Sequence, residues 1–408
     1  MLHQRAKRPS PASLVSNGLL GVAQILVWGG SFFLMAVLAD PVVQDTHWPH
    51  QWVYGSVSVG LFVSGILAPW AGRQIARPRT NLGLLSSGFV VGLGLMMVAL
   101  AHSLWIFMLG WCIMGIGMAM GLYDALFAVL GKHYGLQAKQ SITQITLISG
   151  FCSTVIWPLM GWLISEWGWR TACLGYGFFL WVSVWPLYKL ALPGQRVSHS
   201  AKPLGDKPKP ASAPIDRTLF WLVAVNLTLA AIIMTAMTVQ LIDVLRAQGH
   251  SLTAAIGMGA LIGPCQVGVR LLDLLAPRKH PIWTTFISSV LTVLGLLLLA
   301  IAPALAVAGV VFYSLGNGMR SILRGTLPLE LFGPKAYPVV LGRLARPALL
   351  AQSLTPLLGG YLVQQSGPLL LLAVLTGLAL LNIGTTAAIK YRMPQPSKAA
   401  AASPLLTH

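Results

Sequence analysis

Long apolar runs separated by short polar connections repeat along this sequence from about residue 14 to residue 389. Each run approaches or exceeds the ~20 residues that an α-helix needs to cross a bilayer. Twelve can be drawn: 14–39, 52–70, 82–101, 105–130, 142–164 and 171–190, then 219–242, 253–272, 282–301, 305–327, 339–363 and 369–389. They are called spans 1 to 12 below. The pattern predicts an all-α integral membrane protein of twelve transmembrane helices.

The runs carry an internal repeat. Gly115-Ile116-Gly117-Met118 in span 4 and Gly316-Asn317-Gly318-Met319 in span 10 stand 201 residues apart. Trp157-Pro158-Leu159-Met160-Gly161 and Thr355-Pro356-Leu357-Leu358-Gly359 stand 198 apart, and Ala68-Pro69 with Gly72 finds a partner in Gly263-Pro264 with Gly268. The same breaks in the same order read as a duplicated unit, and in a membrane protein a duplicated unit points to a transporter. The expected organisation is an N-terminal arm (1–13), a six-helix bundle (14–190), a linker (191–217), a second six-helix bundle (218–389) and a tail (390–408). The linker holds five prolines mixed with Ser and Lys and cannot build a packed core.

Composition agrees: 56% of the chain is hydrophobic and only 9% charged, against roughly a quarter charged in soluble domains. The net charge of +18 raises nucleic acid as a partner until the basic residues are located. They follow even-numbered spans: Arg73, Arg77 and Arg79 after span 2, Lys132 and Lys139 after span 4, Arg278 and Lys279 after span 8, Lys335 after span 10, with more in the arm, linker and tail. This one-sided distribution is the positive-inside pattern of a membrane protein with both termini cytoplasmic. It removes the need for nucleic acid and predicts a bacterial-type cytoplasmic (inner) membrane. Cys112, Cys152, Cys173 and Cys265 fall inside apolar runs, so free thiols are expected, with no disulfide framework or metal site.

With its two six-span halves, basic linker and Gly-rich span 4, the chain resembles the major facilitator superfamily over roughly residues 14 to 390. After span 2 the family pattern Gly-x-x-x-Asp-Arg is matched at Gly72, Arg73 and Arg77, with Ala76 replacing the Asp. Span 4 keeps Gly115 and Gly117 but has Trp111 where the family often places Arg. Trp167-Gly168-Trp169-Arg170 is similar to a Gly-Trp-Arg before span 6. The first two spans look like the monocarboxylate and oxalate-formate branch. The resemblance implies the major facilitator fold of two pseudo-symmetric six-helix bundles, with a path lined by spans 1, 2, 4, 5, 7, 8, 10 and 11. The charges inside spans fall only on spans 4, 8, 10 and 11, in agreement.

Those charges are the candidate chemistry, because an ionisable group within the membrane is costly and by default faces the interior. Arg270 on span 8 is a candidate for two-pronged binding of a carboxylate, or else a gate arginine; relatives that carry monocarboxylates have an Asp where this chain has Gln266. Asp124, the one acid well inside a span, is either a proton-coupling or gating group or a permanent salt bridge to Arg343 or Arg346. Arg320 adds to a positive vestibule, and Arg324 with Arg343 could equally snorkel to the interface. Gln24, Trp28, Asn226, Gln266 and Asn317 are uncharged substrate-binding candidates, Gln24 and Asn317 preferred because they lie near a midplane.

The expected function is secondary active transport of a small organic anion such as a monocarboxylate by alternating access, by symport or antiport, with protons as a candidate coupling ion. The alternative is an exporter of hydrophobic drugs or thiophilic metals and metalloids, for which Met234, Met237, Met258, Cys152 and Cys265 could offer sulfur. No nucleotide-binding loop, HExxH or GxSxG sits in a usable context, so neither an enzyme nor an ATP-driven pump is indicated. A monomer with a lipid bilayer around it and no cofactor completes the expectation.

Overall fold

The computed structural model describes residues 13–77, 81–192, 216–275 and 280–393. The N-terminal arm lies outside these except for Ser13, the linker except for its ends, and the tail beyond Met393; Arg79, Arg278 and Lys279 are also outside. All regular structure among the described residues is helical, and it forms two pseudo-symmetric six-helix bundles.

Span 1 is two helices, Leu14–Gly29 and Met35–Thr46; spans 2 and 3 are His50–Ala76 and Leu82–Ala99. Span 4 is Leu104–Gly121 followed by Tyr123–Tyr134. Span 5 begins as Ala138–Ser149 and continues into Cys152–Ala191, which turns at Gly168 (φ 75°) and returns as span 6. Span 7 is Arg217–Ala247, span 8 is Leu252–Ala260 with Ile262–Leu275, and span 9 is Pro281–Ile301. Ala306–Arg392 contains spans 10, 11 and 12, parted at Gly333 (φ 71°) and Gly367 (φ 81°). At each of these turns the positive φ favours glycine.

Exposed tryptophans, among them Trp105, Trp52 and Trp167 at one end and Trp221 and Trp283 at the other, form the interfacial belts of a membrane protein. Outward leucines and phenylalanines between the belts face lipid, so their exposure carries no penalty.

The turns also locate the repeat. Gly135 and Gly333, the glycines between spans 4 and 5 and between spans 10 and 11, stand 198 residues apart; Gly168 and Gly367 stand 199 apart. Packing within each half corrects the pairing suggested by the tetrapeptide. A Cβ on Gly117 would strike Val91 and Ser87 of span 3, and one on Gly316 would strike Thr292 and Ser288 of span 9. Gly117 and Gly316, 199 apart, are therefore the equivalent residues. The tetrapeptide match is two residues out of structural register.

The two halves meet at the basic-loop end. A Cβ on Gly72 would lie 2.5 Å from the Pro338 carbonyl oxygen, and one on Gly342 would lie 2.5 Å from that of Ala68. Spans 2 and 11 thus touch backbone to backbone, which only these glycines permit. Leu329, Tyr337, Leu341, Ala345 and Leu349 of spans 10 and 11 belong to the same buried cluster as the core of the N-terminal half.

Candidate functional site

Three polar links cross the closed end, each held by a helix that packs at the seam. Asp124 lies in the first turn of the second helix of span 4, where Leu122 breaks the span. An acid there complements the unpaired N–H groups of the helix start. Its carboxylate accepts from Nε of Arg324 at 2.6 Å and from Arg324 Nη2, so the pair is bidentate. Both side chains are largely buried, at 15% and 20% exposure. Sequence reasoning offered Arg343 or Arg346 as the partner; both are exposed instead. Span 11 turns Gly342 and Leu349 toward span 2, whereas Arg324 on span 10 meets span 4 across the seam.

Arg270 provides the second link. It is 6% exposed, and its guanidinium is engaged on three sides: Nε donates to the Gly318 carbonyl (3.1 Å), Nη1 to the Thr146 carbonyl (2.9 Å) and Nη2 to Gln266 Oε1 (3.3 Å). The bond to Thr146 joins span 8 of one half to span 5 of the other. No carboxylate among the described residues pairs with it. In this state Arg270 bridges the two halves, and Gln266 accepts from it within its own helix.

Nearer the surface, Lys139 of span 5 pairs with Glu330 of span 10, and His280 Nε2 lies 4.0 Å from the same carboxylate. Burial, and then the charge of Lys139, holds the His280 imidazole below its ordinary pKa. His133, at the end of span 4, is lowered by burial first and by Lys132 second. Lys132 Nζ donates to the carbonyls of Ile75 (2.7 Å) and Arg77 (2.6 Å), capping the end of span 2. Of the loop motif, Gly72 forms the close contact and Arg73 is exposed. Arg77 Nη1 donates to Gln74 Oε1 at 3.1 Å.

The uncharged candidates divide. Gln24 donates to the Gly121 carbonyl (2.7 Å) and the Tyr188 hydroxyl (2.8 Å), and accepts from Trp28 Nε1 (3.1 Å). The break at Leu122 leaves the Gly121 carbonyl needing a partner, so Gln24 here is a fully engaged brace between spans 1, 4 and 6. Asn226 is likewise bonded to Asn382, Thr385 and Thr386 of span 12. Trp28 belongs to an aromatic group with Phe32, Phe33 and Tyr123, the last stacked on Phe127. Asn317 and Arg320 line a small cavity of about 30 Å³ inside the C-terminal half.

Several of these partners are silent in the sequence. Thr146 acts through its backbone. Tyr123 resembles any other membrane tyrosine, and Lys139 and Glu330 read as loop charges. At the opposite end Asp45 is the shared acceptor of Trp169 Nε1 (3.0 Å) and Arg170 (3.3 Å), which gives the Gly168-Trp169-Arg170 motif a physical role in fastening span 6 to span 1.

Comparison with known proteins gives one family and many folds of the same kind. The family model described as Major Facilitator Superfamily matches residues 20–345. No curated protein matches the sequence. Among solved structures, the human organic anion transporter MFSD10 (TETRAN) is 15% identical, with 91% of this chain and 98% of that one covered and a TM-score of 0.66. The proton:xylose symporter XylE is 13% identical over 93% and 96%, with a TM-score of 0.69. A bacterial homologue of the iron transporter ferroportin, in an outward-facing state with soaked iron, is 15% identical over 92% and 99%, with a TM-score of 0.71. At these identities the likeness is one of fold.

Proposed function

As this chain belongs to the major facilitator superfamily and is a transporter rather than an enzyme, we propose that it moves a small organic anion across a cytoplasmic membrane by alternating access. The observation that carries this reading is the imbalance of buried charge. Asp124 is consumed by Arg324, while Arg270 and Arg320 have no carboxylate partner among the described residues. A path with unneutralised fixed cations attracts anions and repels cations.

The basic loops give the direction. On the positive-inside rule the end where the halves meet would be cytoplasmic, together with both termini, and access in this state would be from the outside. Rocking of the halves would separate spans 2 and 11 and break the Asp124–Arg324 and Arg270–Thr146 links. Once released, Asp124 is the acid of the path able to take a proton, which makes it the coupling or latching group of this reading; Arg343 and Arg346 serve the gate as surface charge. The aromatic group around Trp28 suits an anion with an apolar body. The protein is read as a monomer.

Thermal unfolding of the purified protein against monocarboxylates, dicarboxylates, amphiphilic drugs, arsenite and copper tests the proposal. A ligand at 100 times its Kd stabilises by ~2.7 kcal/mol. Carboxylate stabilisation, followed by carboxylate uptake into proteoliposomes, is the expected result. Stabilisation by drugs or thiophiles alone would establish the exporter reading instead.

A further inference from the structure

The cavity inside the C-terminal half is built entirely from spans 7, 9, 10 and 12. It therefore lies within one half and moves with it. Two of its polar atoms are orphans. Arg320 Nη1 touches no solvent and has no hydrogen-bond partner, and the hydroxyl of Tyr313, a residue 2% exposed, has none either. Arg320 as a residue keeps partial exposure, but none of it at Nη1. Its other terminal nitrogen, Nη2, meets only the thioether of Met234.

Of the remaining polar lining, the hydroxyls of span 9 and Asn382 are already paired. Ser288 donates to the Gly316 carbonyl (2.7 Å), Ser289 to Asn382 Oδ1 (2.8 Å) and Thr292 to the Ser288 carbonyl (2.8 Å). Asn317 lines the cavity beside Arg320, and no Asp or Glu does. A buried guanidinium cannot lose its proton, so its charge has to be met by an anion or by solvent. The unused groups here are donors, a cation and a phenol, on one wall.

We propose that this cavity binds a compact monoanion held by Arg320 and Tyr313, either a free inorganic anion or the carboxylate head of the transported solute. The second source rests on the anion reading above; the first does not. Occupation neutralises Arg320, and because the lining belongs to one half the bound anion travels with that half.

The test uses the full-length protein in gluconate buffer, whose anion is too large for the cavity, titrated with bromide, formate and a panel of larger carboxylates while thermal unfolding is followed. Saturable stabilisation by bromide and formate is expected in the wild type and in Arg270→Gln. Arg320→Gln should weaken it at least tenfold and Tyr313→Phe severalfold. Competition between bromide and a larger carboxylate would assign the site to the solute's head; independent, additive shifts would assign it to a free anion. If Arg320→Gln does not fold, anomalous scattering from bromide-soaked wild-type crystals decides: a peak beside Arg320 Nη1 supports the site, and none overturns it. Stabilisation by larger carboxylates alone, unchanged in Arg320→Gln, also overturns the site while leaving the anion reading standing. No response to any anion removes both.

Discussion

Replacing Gly72 by Ala tests whether the backbone contact of spans 2 and 11 holds the gate. The added Cβ would sit 2.5 Å from the Pro338 carbonyl oxygen, whereas carbon–oxygen contacts in packed helices begin at about 3.3 Å. The spans must then part by roughly 0.8 Å, because the obstacle is backbone and cannot rotate away. Overpacking of this kind costs about 1–3 kcal/mol. The cost falls on the closed state alone, so the closed-to-open ratio drops about 5- to 150-fold. A gate closed ten to one in the wild type would range from about 2:1 closed to about 15:1 open. Arg73 and Lys335 are exposed residues flanking the contact, so spin labels on Arg73→Cys and Lys335→Cys, with the four native cysteines replaced, report the gate distance by pulsed electron resonance. Gly72→Ala should transfer population to the longer distance. Gly161→Ala, whose Cβ meets nothing within 4 Å, should not. An unchanged distribution in Gly72→Ala would refute the argument.

Asp124→Asn leaves Arg324 unpaired in a largely buried site and should weaken the closed gate by about 3 kcal/mol, with Asp124→Asn/Arg324→Gln recovering much of the loss; the same labels measure both. Its effect on pH-driven transport against solute exchange, in proteoliposomes, separates coupling from a purely structural role. Gln24→Ala should lower stability by about 1 kcal/mol by leaving the Gly121 carbonyl only its longer bond from the Tyr188 hydroxyl (3.3 Å), and Tm in detergent reads it without reference to transport. His133 and His280 have folded pKa values below their unfolded ones. Their neutral forms therefore stabilise the fold above about pH 6.5, and that stability is lost as pH falls from there through the folded values. His133→Gln with His280→Asn, the Asn keeping the helix cap, should flatten the fall of Tm between pH 7 and 5; an unchanged slope counts against this assignment.

The crossing helices were legible because a bilayer imposes a length and a composition that no tertiary contact overrides. The turns at Gly168, Gly333 and Gly367 were legible in kind, since each falls between runs. The breaks inside spans 1, 4 and 8 were not. Leu122 and Leu261 are ordinary helix residues, and at the interruption the Gly121 carbonyl is met by donors distant in sequence, Gln24 and Tyr188. Among the charges, residue type and depth identified Asp124, Arg270 and Arg320 as special. The partners across the seam, Arg324 for Asp124 and Thr146 for Arg270, were hidden because the rotation of one half against the other sets them, and two of Arg270's three acceptors are backbone carbonyls. Depth in the membrane favours Gln24 for a substrate, and residue type alone leaves Asn226 a candidate; the geometry instead engages both with neighbouring helices.

Asp124 and Arg324 are 200 residues apart, within a residue of the 199 that relates spans 4 and 10. They therefore occupy nearly the same place in the two copies of the unit and face each other close to the axis between them. At an offset of 199 the counterpart of Asp124 is Leu323 and that of Arg324 is Ala125. Each copy of the unit therefore contributes one charge to the latch where the other copy carries an apolar residue. The lock that closes this protein is asymmetric although the architecture it closes is a repeat.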